Sequence, residues 1–181
     1  MLKSASFEIE PSNALLQQFN NHLQTTNDDN QRWQKIGIEG EKIADDARQW
    51  AAVVDEKNKL MWAINPSKTA DFPNPQEMKK WNEAKQWADY VNKEKWCGYN
   101  DWRLPTIDEL KSLLLFKKYK NLYIREDVFK DISQEFYYVW SSSAPRYWNI
   151  RIVIFHDDDE GDNATMNKDY YCYVRLVRSS Q

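Results

Sequence analysis

Apolar residues recur at helical spacing across residues 75–95. Trp81, Ala84, Trp87, Ala88 and Val91 stand three or four apart, which puts them on one face of an amphipathic helix. Lys79, Glu83, Lys85, Asp89 and Lys93 fall mostly on the other faces, where solvent is expected. Gly98 then marks a chain reversal after the helix. A second helix is predicted from Thr106. Thr106 and Glu109 have capping-box spacing, in which the hydroxyl accepts from the third helical N–H and the carboxylate reaches back. Pro105 keeps the preceding backbone out of the helix. Leu110, Leu113 and Leu114 supply its apolar face, with Lys117 and Lys118 complementing its C-terminal dipole.

Strand patterns lie on both sides of these helices. Residues 50–54 and 60–64 are β-rich runs separated by the turn Asp55-Glu56-Lys57-Asn58-Lys59, which predicts a hairpin. Residues 65–75 hold three prolines and read as a loop. Residues 136–141 form a predicted strand. Residues 148–155 alternate, with Ile150, Ile152 and Ile154 on one face. Residues 170–177 alternate as well, Tyr171, Tyr173 and Arg175 facing one way and Cys172, Val174 and Leu176 the other. With residues 156–167 as a polar, acidic connector, the last two strands are predicted to pair as an antiparallel hairpin. Residues 1–46 differ in character. They hold a short apolar pair (Phe7, Ile9), a helical pattern (Ala14, Leu15, Leu16, Phe19, Leu23), a polar stretch, and a short strand at Trp33, Ile36 and Ile38 ending at Gly40. They read as an N-terminal extension that packs on the main domain, residues 47–181, or serves as an interaction arm.

Composition narrows the function classes. The chain has 181 residues, 41% of them hydrophobic, with nine Trp and ten Tyr that suit either a core or a flat recognition surface. Net charge is −3 and the pI is near 5.5. No basic stripe is present beyond the short cluster Lys117, Lys118 and Lys120, which argues against a general nucleic-acid binder. No window approaches a membrane-spanning apolar run, so no membrane association is expected. Residues 1–10 carry one Lys and no long apolar run, so a cytoplasmic chain is expected, although a chain trimmed of its leader would read the same. Cys97 and Cys172 are too far apart for a zinc site with its short paired spacings. Two buried free thiols are the preferred reading, ahead of a disulfide and of a catalytic thiol.

Several segments together carry a family resemblance. They are residues 54–62 (Val-Asp-Glu-Lys-Asn-Lys-Leu-Met-Trp), the helix at 81–90, and residues 98–110, with Trp102-Arg103-Leu104-Pro105-Thr106 at their centre. Val139-Trp140-Ser141-Ser142-Ser143, residues 148–155 and Tyr173-Val174-Arg175-Leu176-Val177-Arg178 complete the set. Residues 48–179 thereby resemble the family of domains of unknown function typified by the C-terminal domain of the Legionella collagen-like protein. The Arg-Leu-Pro-Thr turn before a helix also resembles the formylglycine-generating, sulfatase-modifying family. That resemblance implies an α+β, C-type-lectin-like fold: a twisted antiparallel sheet, two main helices and long irregular loops, plus the N-terminal extension. Formylglycine-generating enzymes bind copper through two closely spaced cysteines near the C-terminus. Only Cys172 lies there, so that activity is not carried over, and no enzyme is expected.

Candidate sites follow, each beside its structural alternative. Trp102, Arg103, Pro105, Thr106, Glu109, Trp140, Arg175 and Arg178 fall inside the family-like motifs. They read as framework, the arginines tying loops to the sheet through carbonyls or an internal acid such as Asp101. Trp81, Trp87, Trp102 and Trp140 are expected in the core. Arg146, Tyr147 and Trp148 combine rings with a cation, the composition of recognition hot spots. They and His156 are the ligand-binding candidates, with loop packing as the alternative for the rings. His156 has no recognisable serine and acid partners in sequence, so a catalytic triad is not read. Asp157, Asp159 and Asp162 are the candidate calcium ligands in an oxygen-rich run that lacks EF-hand spacing, and a solvated hairpin tip is preferred. No cofactor is expected, calcium being the alternative. The expected function is a non-catalytic module binding a protein partner through loops at residues 142–148 and 156–167. By fold analogy it suits a bacterial chain, with a phage or another mobile element as a candidate source. The alternatives are a surface glycan-binding, adhesin-like domain and an enzyme with a divergent site.

Overall fold

A hairpin buried on both faces organises the architecture. The computed structural model describes residues 32–64, 78–115, 124–125, 127–129, 138–143, 149–155 and 163–180. The chain divides into two units, Met1–Arg32 and Trp33–Gln181, and the elements below belong to the second. Strands β2 (Ala52–Asp55) and β3 (Leu60–Ala63) are buried at every position. They pair antiparallel, with Val53 opposite Trp62 and Val54 opposite Met61. Their turn is closed by Asp55, whose carboxylate accepts from the backbone N–H groups of Lys57 (3.1 Å) and Asn58 (3.2 Å) and from the Asn58 amide (2.8 Å). Such Asx geometry is why a polar run between two apolar ones folds back on itself.

β1 (Trp33–Ile36) flanks β2 and β7 (Val177–Ser179) flanks β3, giving a four-stranded antiparallel sheet of order β1-β2-β3-β7. Residues 33–46, grouped by composition with the N-terminal extension, therefore supply an edge strand and a turn to this unit. A second antiparallel sheet has order β4-β5-β6, from Tyr138–Trp140, Asn149–Ile154 and Asn163–Asn167. Helix α1 (Trp81–Lys93) buries Ala84, Trp87, Ala88 and Val91 against a cluster holding Ala52, Val54, Met61, Ala63, Trp140, Ile150 and Ile152. Helix α2 (Ile107–Lys111) packs Ile107 and Leu110 into the opposite cluster, with Val53, Leu60, Trp62, Val139 and Val153. Alternate strand residues thus enter alternate cores, which explains why β2 and β3 read as continuous apolar runs. The architecture is α+β, with two antiparallel sheets and two helices.

Three expectations are corrected. Residues 170–177 do not pair with β5. β6 takes that place, with Ile150 opposite Met166 and Ile152 opposite Ala164; an edge strand needs only a short alternation, and the acidic residues before it concealed this one. The later segment instead crosses between the sheets, with single bridges from Cys172 to Lys79 and from Tyr173 to Val139, before β7 joins β3. α1 begins at Trp81 rather than near residue 75. Lys79 is held extended by backbone bonds to Cys172 in both directions (2.8 and 3.1 Å), and the Glu83 carboxylate accepts the Lys80 N–H (2.9 Å) at the helix start. α2 ends at Lys111, which stands in its last turn, and Lys117 and Lys118 lie outside the described residues. Leu113 is buried just beyond the helix.

Candidate functional site

Sheet becomes helix within four residues at the Arg103–Thr106 corner. Arg103 makes a two-way backbone bridge with Val177 (2.9 Å each way). Pro105 cannot donate to the sheet and sets an extended approach, and Thr106 keeps an extended backbone as N-cap. Its hydroxyl accepts the Glu109 N–H (3.2 Å), while Glu109 Oε2 accepts the Thr106 N–H (2.7 Å). The same carboxylate receives Arg103 Nη1 at 2.8 Å and Nη2 at 2.6 Å. Burial pushes the Glu109 carboxyl up, but the Arg103 guanidinium and the Thr106 donors outweigh it and hold it below the usual carboxylate range. The hydrogen bond to Glu109 in turn raises Arg103, against partial burial.

The rest of the framework is anchored by backbone groups and by side chains. Trp102 donates its N–H to Asn92 Oδ1 (2.7 Å), accepts from Asn92 Nδ2 (2.8 Å) at its carbonyl, and donates its indole N–H to the Trp96 carbonyl (2.9 Å). Trp140 donates its indole N–H to the Lys79 carbonyl (2.6 Å). The serines after it staple the corner: the Ser142 N–H reaches the Pro105 carbonyl (2.6 Å), and Ser143 Oγ accepts the Ile107 N–H (3.0 Å). Arg178 pairs with both Asp101 oxygens (2.6 and 3.2 Å) and lies 3.8 Å above the Tyr99 ring. Arg175 is buried, its guanidinium 4.7 Å from the Phe129 ring centre.

Between this corner and α1 lies a cavity of about 450 Å³, within the range of ligand pockets. Trp81, Lys85, Ala88 and Asp89 line it from the helix, Trp102, Arg103 and Leu104 from the corner, and Ser142 completes the lining. The Trp81 ring is oriented by its indole N–H, which donates to the Ser141 carbonyl (3.0 Å). Lys85 Nζ sits 4.0 Å from the Trp81 ring centre, turning one helical turn back rather than on to Asp89.

Trp87, Trp102 and Trp140 are in the core as expected, whereas Trp81 is half-buried and forms a cavity wall. Lys85 and Asp89 are exposed, as the sequence pattern expects, but that pattern does not show that their face lines a cavity. Trp81, Lys85 and Asp89 stand at successive intervals of four, one stripe beside the buried one, and that spacing is the signal that marks them. Arg146, Tyr147, Trp148 and His156, and the calcium candidates Asp157, Asp159 and Asp162, lie outside the described residues. Among the described residues no group of three or more His, Cys, Asp or Glu stands ready to hold a metal. Cys97 and Cys172 are free and buried. Burial pushes each thiol up to about 12, aided at Cys97 by the charge of Glu41, so neither supplies a thiolate near neutral pH. No helix among the described residues is long and apolar enough to cross a membrane.

Comparison with known proteins adds a family. No curated protein and no solved structure matches the chain. The family model described as the Lcl C-terminal domain matches residues 51–178, from the central hairpin through both helices and the corner into β7, and the chain belongs to that family.

Proposed function

We propose that this Lcl C-terminal domain is a non-catalytic recognition module, on a C-type-lectin-like scaffold, that binds a protein partner at the cavity between α1 and the corner. The cavity itself is the observation that carries this reading. A Trp ring held by its own hydrogen bond, apolar walls from Ala88 and Leu104, and a rim of Lys85, Asp89 and Arg103 form the composition of an interface anchor site. Its walls are preorganised, because Trp102 and Arg103 are pinned through their backbones. Preorganised walls leave little ordering cost at binding. Two small antiparallel sheets joined by irregular segments support the lectin-like scaffold, and free buried thiols suit a reducing, cytoplasmic setting.

Ser142 is exposed and lines the cavity, so Ser142→Trp sets a large ring against the site without replacing a buried side chain. The full chain, immobilised, retains one stoichiometric protein from a lysate of its source organism, with calcium or with a chelator. The Ser142→Trp chain, with an unchanged circular-dichroism spectrum, loses it. Equal retention by both chains refutes the site, and turnover of a small molecule by the purified chain refutes the non-catalytic reading.

A further inference from the structure

The two sheets have four outer edges, and three of them are covered. On β1, the Lys35 carbonyl accepts the Ile43 N–H (3.1 Å). On β7, Val177 exchanges two backbone bonds with Arg103 (2.9 Å each). On β4, the Trp140 N–H reaches the Tyr173 carbonyl (3.1 Å) and the Tyr173 N–H reaches the Tyr138 carbonyl (2.8 Å). The fourth edge is the outer side of β6. Among the described residues one backbone bond meets it, at the strand end, where the Tyr170 N–H closes a turn on the Asn167 carbonyl (2.9 Å).

The direction of that edge follows from β5. The Arg151 carbonyl accepts the Ser141 N–H (3.2 Å) and hydroxyl (2.7 Å). Arg151 therefore turns its backbone groups toward β4, and Ile150 and Ile152 turn theirs toward β6. Met166 and Ala164 stand opposite those isoleucines and are engaged by them. Thr165 lies between and directs its N–H and carbonyl outward, as by alternation do Asn163 and Asn167. The strand reads Asn-Ala-Thr-Met-Asn, without proline or charge, and its register runs without a bulge. It lacks the devices that keep an edge from pairing.

We propose that β6 pairs antiparallel with β6 of a second copy of this chain, centred on Thr165, so that two sheets become one. The strand is its own complement in that register. Thr165 meets Thr165 as a hydrogen-bonded pair, Asn163 meets Asn167 in the same way, and Ala164 meets Met166 where facing side chains approach most closely. Ala164 and Met166 are half-buried against the first core, so pairing covers the apolar surface left at its margin. A two-fold pairing of one edge closes on itself, so association ends at a dimer. The inference is independent of the cavity, which the dimer carries twice.

Sedimentation velocity of the full chain at rising concentration tests it. A reversible shift from the 21.7 kDa monomer to twice that mass is expected by about 100 μM, as suits a small interface. Thr165→Pro deletes only an outward N–H, which an edge strand tolerates. Thr165→Lys, at an exposed position, sets like charges opposite each other. Each should weaken association at least about tenfold, with an unchanged circular-dichroism spectrum. Mixing Thr165→Lys with Thr165→Glu chains should restore the dimer, which a folding defect would not allow. A wild-type chain that stays monomeric at about 100 μM, or that assembles beyond a dimer, overturns the inference. So does a dimer that Thr165→Lys leaves intact, or a mixture that associates no more tightly than Thr165→Lys alone.

Discussion

Glu109 holds together a helix of five residues, too short to persist alone, and truncating it gives the sharpest test of the corner. Glu109→Ala removes the acceptor for the Thr106 N–H at 2.7 Å and for two Arg103 donors at 2.8 and 2.6 Å. It leaves the Thr106 hydroxyl bond to the residue-109 N–H in place. Losing half of a reciprocal cap costs roughly 0.5–1 kcal/mol, the lower part of the range for caps. The ion pair is partly solvated, with the Arg103 side chain 44% exposed and Glu109 18%, so solvent screening limits it to roughly 0.5–1 kcal/mol more. The expected total is about 1–2 kcal/mol, read from urea unfolding followed by tryptophan fluorescence. Glu109→Gln keeps one oxygen for the Thr106 N–H, and about half of the loss is expected. The pH dependence carries a definite sign. A carboxyl whose folded value lies below its unfolded one adds stability that is complete above the unfolded value, about 4.3 for Glu. That stability disappears as pH falls through the lower folded value. The gap between wild type and Glu109→Gln should therefore be constant near neutrality and close in acid. A gap that persists unchanged below that window, or a Glu109→Ala chain as stable as wild type, would refute the reasoning.

The other predictions concern the core, a turn and the thiols. Leu110→Ala, at a fully buried position facing the second core cluster, should cost about 2–5 kcal/mol in the same assay; a loss under about 1 kcal/mol would mean that α2 does not clamp that face. Gly40 has φ of +84°, and a Cβ there would lie 2.5 Å from the Cys97 carbonyl oxygen, so Gly40→Ala should lose at least about 1 kcal/mol, and a neutral result would contradict the close approach. Neither Cys97 nor Cys172 should react with Ellman's reagent in the native chain at pH 8, both should react once unfolded, and prompt native labelling would exclude their burial.

What was legible in the sequence was local. The Thr106–Glu109 cap, the Asp55 turn and the Ala84-Trp87-Ala88-Val91 face each depend on residues a few positions apart, so spacing alone predicts them. The partner of β5 was not legible, because its apolar face could meet either Ala164 and Met166 or the more apolar Cys172, Val174 and Leu176. The decision is made elsewhere. β3 needs a neighbour at Leu60–Trp62, and residues 177–179 supply it. With residues 177–179 committed to β3, Cys172, Val174 and Leu176 pack on the first core without forming a strand, and β5 is left to the nearer segment. The cavity was hidden for a related reason. A Trp at the edge of an apolar stripe is core if another element covers it and a wall if none does, and α1 alone cannot say which. At Trp81 the answer depends on how far the corner stands off the helix. That distance is set by Asn92 gripping the Trp102 backbone from one side and Val177 gripping Arg103 from the other. The bonds that make the corner rigid therefore also hold the cavity open, and a change that loosens either grip should reshape the site before it unfolds the domain.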